Sequence, residues 1–124
     1  MELHELRVLV EQDSQIDDTQ LDTESLRLPA LHNKYLNFYH DAKLRYEKAT
    51  NEYNRLYRLK WEYYTGKIDQ ETLDKKGWEP FQHNILKQDI PIFMNSDEDL
   101  CKRKEVITYI KSIVDYLEEV VKEI

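Results

Sequence analysis

Glycine, proline and cysteine are scarce in this sequence, and each shortage excludes a class of structure. The chain has 2 glycines, 3 prolines and 1 cysteine in 124 residues. These turn-forming residues are too few for a β-sandwich, a β-barrel or a series of βαβ units. Gly66 and Gly77 stand far apart, so the glycine-rich phosphate loops of Rossmann and P-loop proteins are also excluded. A single cysteine excludes a disulfide framework and a multi-cysteine metal site, and it suits a reducing cytoplasm.

Long apolar runs and recognisable catalytic motifs are absent as well. No stretch of about 18 apolar residues occurs and the N-terminal segment is acidic and polar, so we expect neither a membrane span nor a signal peptide. The 4 histidines have no metal-binding spacing, and no pair among the 25 acidic residues stands out as a general acid and base. The sequence therefore predicts no enzymatic activity, no metal site and no cofactor.

Helical periodicity is the strongest pattern that is present, and it predicts an all-α protein of one domain, 1–124. Apolar residues at helical spacing indicate a short N-terminal helix from Glu2 to about Asp13, followed by a loop through residue 19. We divide the domain into N-terminal helices at 1–66, a linker with short helices at 67–95 and a C-terminal helix at 96–124, and the functions expected of the first and last parts follow below.

One long central helix is predicted by the stretch from Leu31 to Tyr64, which contains neither glycine nor proline. Its aromatic and apolar residues form a single stripe, which needs a partner helix or another subunit. We expect the helix to start within 19–29, with Pro29 in its first turn or at a kink. Gly66 is expected to end it, because glycine adopts the left-handed conformation without steric cost.

The linker at 67–95 is the least regular part of the sequence. We expect one or two helical turns at Asp69–Lys75 and a second short helix at Pro80–Gln88. Ile90–Phe93 is expected to be extended, because the residue before a proline avoids the helical region. Asn95–Asp99 then supplies cap candidates and first-turn acids for the final helix.

The final helix carries apolar residues at alternating steps of four and three. Its apolar face is wider than a two-stranded seam requires, which indicates packing in a multi-helix core or in an oligomer. Of these two we favour the oligomer. The residues expected at the subunit interface are Val106, Ile110, Ile113, Leu117 and Val120.

The formal charge of −7 hides an uneven distribution of charge. Residues 34–67 hold eight basic and four acidic residues, a net of +4 that leaves −11 for the rest of the chain. Within this basic segment, Arg55–Lys67 alternates cations with aromatic rings. Phosphates need Lys or Arg and unstacked bases need flat rings, so this alternation is typical of a protein that binds single strands. The candidate DNA-binding residues are Lys48, Arg55, Tyr57, Arg58, Lys60, Tyr64 and Lys67.

A second interpretation of the same segment is purely structural. Tyr53, Leu56 and Tyr63 would be core residues, and the cations a solvated face with ion pairs to Glu52 and Glu62. Trp61 is open to both interpretations, and we favour a core or interface position over stacking on bases.

Residues 56–69 read L-Y-R-L-K-W-E-Y-Y-T-G-K-I-D. Positions 58–66 within them carry two basic residues, an acid, a tyrosine pair, a small residue and a glycine in a set order. They resemble the hallmark segment of the UvsY family of phage recombination mediators. The likeness extends N-terminally through Lys34–Asn37 and Ile16–Leu21, and it covers about residues 3–69. Beyond residue 70 only the length and a terminal amphipathic helix are similar.

This resemblance implies a recombination mediator without enzymatic activity that acts in the cytoplasm of an infected bacterial host. It implies binding to single-stranded DNA, displacement of the phage single-strand-binding protein and loading of a RecA-like phage recombinase. It also implies a ring-like homo-oligomer, a hexamer or heptamer. The family's DNA-contacting basic pair corresponds to Arg58 and Lys60, and a further basic residue after the glycine to Lys67. The alternative is a helical adaptor or assembly protein that uses its C-terminal helix and binds no nucleic acid.

Overall fold

The computed structural model describes residues 1–15, 21–81 and 83–123, with the backbone alone for residues 21–26. Within these ranges all regular structure is helical, which confirms the all-α prediction. None of the helices there combines the length and apolar character needed to cross a bilayer. The helices are α1 (Leu3–Asp13), α2 (Leu21–Tyr64), α3 (Gln70–Lys76), α4 (Ile90–Ser96) and α5 (Glu98–Glu123), with a 3₁₀ turn at Lys87–Asp89.

The central helix α2 starts at Leu21, within the predicted interval, and has 44 residues. Pro29 lies inside it rather than in its first turn. The helix ends in a Schellman motif at Gly66, whose φ is +75°. The Gly66 amide donates to the Tyr63 carbonyl at 3.3 Å, and the Lys67 amide donates to the Glu62 carbonyl at 2.8 Å. The predicted stop is therefore confirmed, and it fixes the direction in which the chain leaves the helix.

The chain forms two compact units. The terminal unit comprises Met1–Glu47 and Ile107–Ile124, and the central unit comprises Lys48–Val106. The division falls within α2 and within α5 rather than in the linker, whereas the subdivision at residues 66 and 95 stays a prediction. The predicted loop through residue 19 lies outside the described residues from position 16 onwards.

The terminal unit has its core where α1, the first part of α2 and the last part of α5 meet. Asp13 joins α1 to α2, because its carboxylate accepts hydrogen bonds from Lys34 Nζ at 2.8 Å and from Tyr35 Oη at 2.7 Å. The stripe of α2 therefore has partner helices within one chain. Its fully or nearly fully buried apolar residues are Leu6, Leu31, Tyr35, Ala42, Ile110, Ile113, Val114, Leu117 and Val120.

This core contains four of the five residues that were expected at a subunit interface. Ile110, Ile113, Leu117 and Val120 are only 1–6% exposed within a single chain. Such side chains have almost no surface left to bury against a second subunit, so their wide apolar face is explained by packing within the chain. Val106 differs, since 48% of its surface is exposed.

The central unit corrects two predictions for the linker. The short helix predicted at Pro80–Gln88 is wrong, because residues 83–86 are not helical. A 3₁₀ turn begins only at Lys87. Ile90–Phe93 is helical rather than extended, because it forms the start of α4. Pro91 occupies the first turn of α4, where a missing N–H costs no helical hydrogen bond.

The other short elements of the central unit are confirmed. Asp69 caps α3 by accepting a hydrogen bond from the Thr72 amide at 2.9 Å. Gly77 ends α3 with a φ of +68°. Asp97 caps α5 by accepting a hydrogen bond from the Leu100 amide at 3.0 Å. The predicted cap region therefore places the start of the last helix correctly.

Candidate nucleic-acid interface

The C-terminal part of α2 presents two exposed arginines, Arg55 and Arg58. The side chain of Arg58 is 82% exposed and forms an ion pair with Glu62 at 3.3 Å, one helical turn away. An exposed pair of this kind contributes little to stability, so its cation remains available to a phosphate. Lys48 is also exposed, about three turns earlier on the helix.

A cleft of about 610 Å³ lies beside the end of α2. Tyr57, Trp61 and Tyr64 line it from the helix, and Thr65, Gly66 and Lys67 line it from the turn that follows. Residues between Phe81 and Met94 form the opposite side. The predicted residues Tyr57, Tyr64 and Lys67 are thus brought together, while Lys48, Arg55 and Arg58 do not line the cleft.

Trp61 lines this cleft and stays partly exposed there. It is 37% exposed, and the Lys67 ammonium lies 4.6 Å from its ring centroid. A cation at this distance over an indole forms a cation–π contact. Trp61 is therefore not a core residue of the single chain, and its expected place at a subunit interface stays a prediction.

Lys60 is the predicted DNA-binding residue with the most unexpected environment. Only 6% of its surface is exposed, and its ammonium lies 3.1 Å from the Asp97 carboxylate and 2.9 Å from that of Asp99. The same ammonium lies 4.2 Å from the ring centroid of Trp78. Its charge is therefore already compensated inside the chain. Its assignment as a DNA contact stays a prediction without support from this geometry.

Asp97 connects this buried cation to the rest of the site. Besides Lys60 and the Leu100 amide, it accepts a hydrogen bond from Tyr64 Oη at 2.6 Å. Burial alone would raise the pKa of Asp97, but these hydrogen bonds outweigh burial and lower that pKa below its usual value. Burial and the hydrogen bond to Asp97 together raise the pKa of Tyr64, which therefore stays a neutral donor.

Aromatic rings fill the space next to this polar cluster. Tyr64 and Phe81 meet edge to face with centroids 5.0 Å apart, and Tyr63 contacts Trp78 in the same manner at 5.5 Å. Phe93 of α4 joins the group at 5.6 Å from Phe81. These contacts bring Trp78, Phe81 and Phe93 against the end of α2, which gives the cleft its second wall.

The second wall contains residues that sequence reasoning missed, namely His83, Asn84 and Lys87. They were assigned to a short helix without function, and the sequence gives no periodic signal that would bring them near Trp61. Asp97 was identified as a cap candidate but not as the partner of Lys60. Among the described residues, no group of histidine, cysteine and carboxylate side chains has the arrangement of a metal site.

Comparison with known proteins gives a family and a fold. Residues 9–124 match the family described as recombination, repair and ssDNA binding protein UvsY. No curated protein matches the sequence. Two crystal structures of the recombination mediator protein UvsY from bacteriophage T4, lattice types II and IV, are similar to this chain. Each has 20% sequence identity and covers 98% of this chain; the TM-scores are 0.84 and 0.85, over 84% and 86% of the other chain.

These structural matches indicate that the chain shares the helical fold of those two structures. The family match extends over nearly the whole sequence. It includes the C-terminal third, which the resemblance of the hallmark segment did not cover. The chain therefore belongs to the UvsY family of recombination, repair and single-stranded-DNA-binding proteins.

Proposed function

We propose that this protein is a recombination mediator that binds single-stranded DNA at the end of α2, helps to displace the single-strand-binding protein and loads a RecA-like recombinase. It acts in the cytoplasm of an infected bacterial host. The observation that carries the proposal is the exposed Trp61 with the Lys67 ammonium 4.6 Å from its ring centroid, beside the exposed Arg55 and Arg58. Flat rings and cations side by side are what a sequence-tolerant single-strand site requires.

Oligomerisation strengthens such binding. A single chain offers only a few exposed cations at this end of α2, and each neutralised phosphate adds one increment of counterion release. A ring of six or seven copies, as the family resemblance implies, would multiply the site and bind one strand with avidity. Since the row from Ile110 to Val120 is buried in the chain, an interface on this helix has to use exposed residues such as Val106.

Acidic surface elsewhere supports the proposal. The segment 34–67 carries a net +4 within a chain of formal charge −7. The surrounding negative charge repels DNA from the rest of the surface and confines it to the basic segment. The same acidic surface is available to the recombinase and to the single-strand-binding protein.

The direct test is fluorescence anisotropy of labelled oligo-dT across a salt series, with wild type and the double variant Arg55→Ala/Arg58→Ala. We expect wild type to bind more weakly as salt rises. The double variant should bind more weakly at every salt concentration. Its salt slope, the slope of log K against log salt concentration, should be shallower by about 1.4, because each lost phosphate contact on a single strand reduces this slope by roughly 0.7.

The matched control is Lys102→Ala/Lys122→Ala, which removes two exposed charges from α5 and should leave the slope unchanged. Lys60 is left out of the test because its replacement would disturb the buried cluster. An equal slope for wild type and the arginine variant would contradict the proposed DNA site. No binding by wild type would contradict the function and leave the adaptor interpretation, which the family assignment does not favour.

A further inference from the structure

We propose that the cleft beside the end of α2 is a base-binding subsite, in which unstacked bases of single-stranded DNA stack on Trp61 while flanking phosphates meet Lys67 and Lys87. The inference rests on the proposed function and deepens it, because it assigns a nucleic-acid role to the segment 83–87. None of that segment belongs to the residues that the sequence pattern indicated.

The size and walls of the cleft fit this ligand. Its volume of about 610 Å³ lies within the usual range for small-molecule sites, about 300–1,000 Å³. Tyr57, Trp61, Tyr64 and Phe81 supply aromatic surface to it. Trp61 and Tyr57 keep 37% and 45% of their surfaces exposed, so their rings are accessible to an incoming base.

The charge of the lining selects an anionic ligand. Lys67 and Lys87 lie among the lining residues, and none of those that the structure describes is acidic. This is unusual in a chain with 25 acidic and 18 basic residues. An apolar peptide would not need two ammonium groups here, whereas a nucleotide unit uses both the rings and the cations.

Polar groups at the cleft can contact base edges. Asn84 is exposed and lines the cleft, and its amide can both donate and accept hydrogen bonds. His83 stands beside it and packs edge to face on Phe81 at 5.4 Å. Single-strand binding needs stacking more than hydrogen-bond readout, so we expect these groups to tune affinity and Trp61 to dominate it.

The test compares two labelled strands of equal length, oligo-dT and a fully abasic strand that keeps every phosphate. We expect Trp61→Ala to weaken binding of oligo-dT by about tenfold and binding of the abasic strand by less than about twofold. Trp61→Phe keeps a ring in the same place, so it should restore most of the affinity for oligo-dT. Circular dichroism of each variant checks that the helices remain.

Lys87→Ala gives a second readout from the opposite wall of the cleft. It should weaken the binding of both strands by the same factor and reduce the salt slope by about 0.7, because a phosphate contact does not depend on the base. Lys75→Ala is the control, because it removes an exposed lysine of α3 that does not line the cleft. It should change the binding affinity for neither strand.

The outcomes separate the subsite from the function. The base subsite is wrong if Trp61→Ala weakens the binding of both strands equally. It is also wrong if Lys87→Ala has no effect on binding while Arg55→Ala/Arg58→Ala still reduces the salt slope. In either case the proposed function stands. If wild type binds neither strand, both proposals fail.

Discussion

At the scale of single residues, Lys60 is the side chain whose role the structure changes most. The sequence presents it as one of several cations on a basic helix, yet its ammonium is shared between Asp97 and Asp99 and covered by the Trp78 ring. Two carboxylates compensate one cation here, so its removal would leave the buried Asp97 without its counter-ion. We therefore expect Lys60 to act on DNA only by holding the end of α2 and the start of α5 in place.

Replacing Lys60 by alanine should lower the free energy of unfolding by about 3 kcal/mol, because breaking a buried ion pair leaves an uncompensated charge. Urea unfolding followed by circular dichroism measures this loss. Lys67→Ala is the control, since Lys67 is exposed and its removal should cost no more than about 0.5 kcal/mol. A Lys60 variant as stable as the Lys67 variant would show that the cluster does not support the fold.

Asp97 makes the stability of the chain depend on pH in the acid range. Its pKa is lowered in the folded state, so its contribution is fully present above the unfolded value of about 3.9 and is lost as pH falls through the folded value. We expect the unfolding free energy of wild type to decrease once the pH drops below about 4. The variant Asp97→Asn should be less stable than wild type at neutral pH, and its stability should depend less on pH in the acid range.

The measurement is a series of urea titrations between pH 7 and the acid range for wild type and Asp97→Asn. Glu123→Gln removes an exposed carboxylate near the end of α5 and should follow the wild-type profile. Identical profiles for wild type and Asp97→Asn would mean that Asp97 gains nothing from its ionised form in the fold.

At the scale of elements, the sequence predicts helices well where periodicity and a stop signal agree. The end of α2 at Gly66 and the cap of α5 at Asp97 belong to this group. The two wrong predictions, for Pro80–Gln88 and for Ile90–Phe93, both concern segments that contain a proline. In the second of them, Pro91 occupies the first turn of α4, where extended backbone was expected. The preference of a residue before proline for extended backbone is statistical, and Ile90 departs from it with a φ of −53° and a ψ of −44°.

Pro29 allows a test of the continuity of α2. It lies inside the helix, where proline donates no hydrogen bond to the carbonyl of residue 25. We expect Pro29→Ala to raise the unfolding free energy by up to about 3 kcal/mol, and Pro80→Ala, outside any helix, to change it by less than about 0.5 kcal/mol. Thermal unfolding measures both. Equal melting temperatures for the two variants would contradict an uninterrupted α2.

At the scale of the whole molecule, charge and aromatic content predict which part of the chain is the candidate DNA-binding segment, but not the shape of the cleft beside it. The basic segment and the residues Tyr57, Tyr64 and Lys67 follow from the alternation of rings and cations. The second wall, with Asn84 and Lys87, does not, because it depends on how an irregular segment packs on Tyr63 and Tyr64. Periodicity carries no information about such packing.

Assembly is a property of the whole molecule that a mass measurement tests. Light scattering of wild type should give six or seven times the 15.1 kDa of one chain if the proposed ring forms. Val106→Asp should lower this mass while the chain stays folded, because Val106 is exposed. Ile113→Asp should instead unfold the chain, since it places a charge in the core. A wild-type mass of one chain would exclude the ring.

The junction between α4 and α5 at Asp97 also limits where sequences of the UvsY family can gain or lose residues. Asp97 is the only residue between the end of α4 and the start of α5. Asp97 has extended backbone with a ψ of 124°, and one inserted or deleted residue there would displace α4 from the start of α5. Phe93 would then no longer reach Phe81 while Asp97 holds Lys60, so these two contacts fix the register of the two helices. Residues 83–86 lie in irregular backbone and impose no such register. We therefore expect related chains to vary in length between α3 and α4, and to keep the spacing of α4 and α5 unchanged.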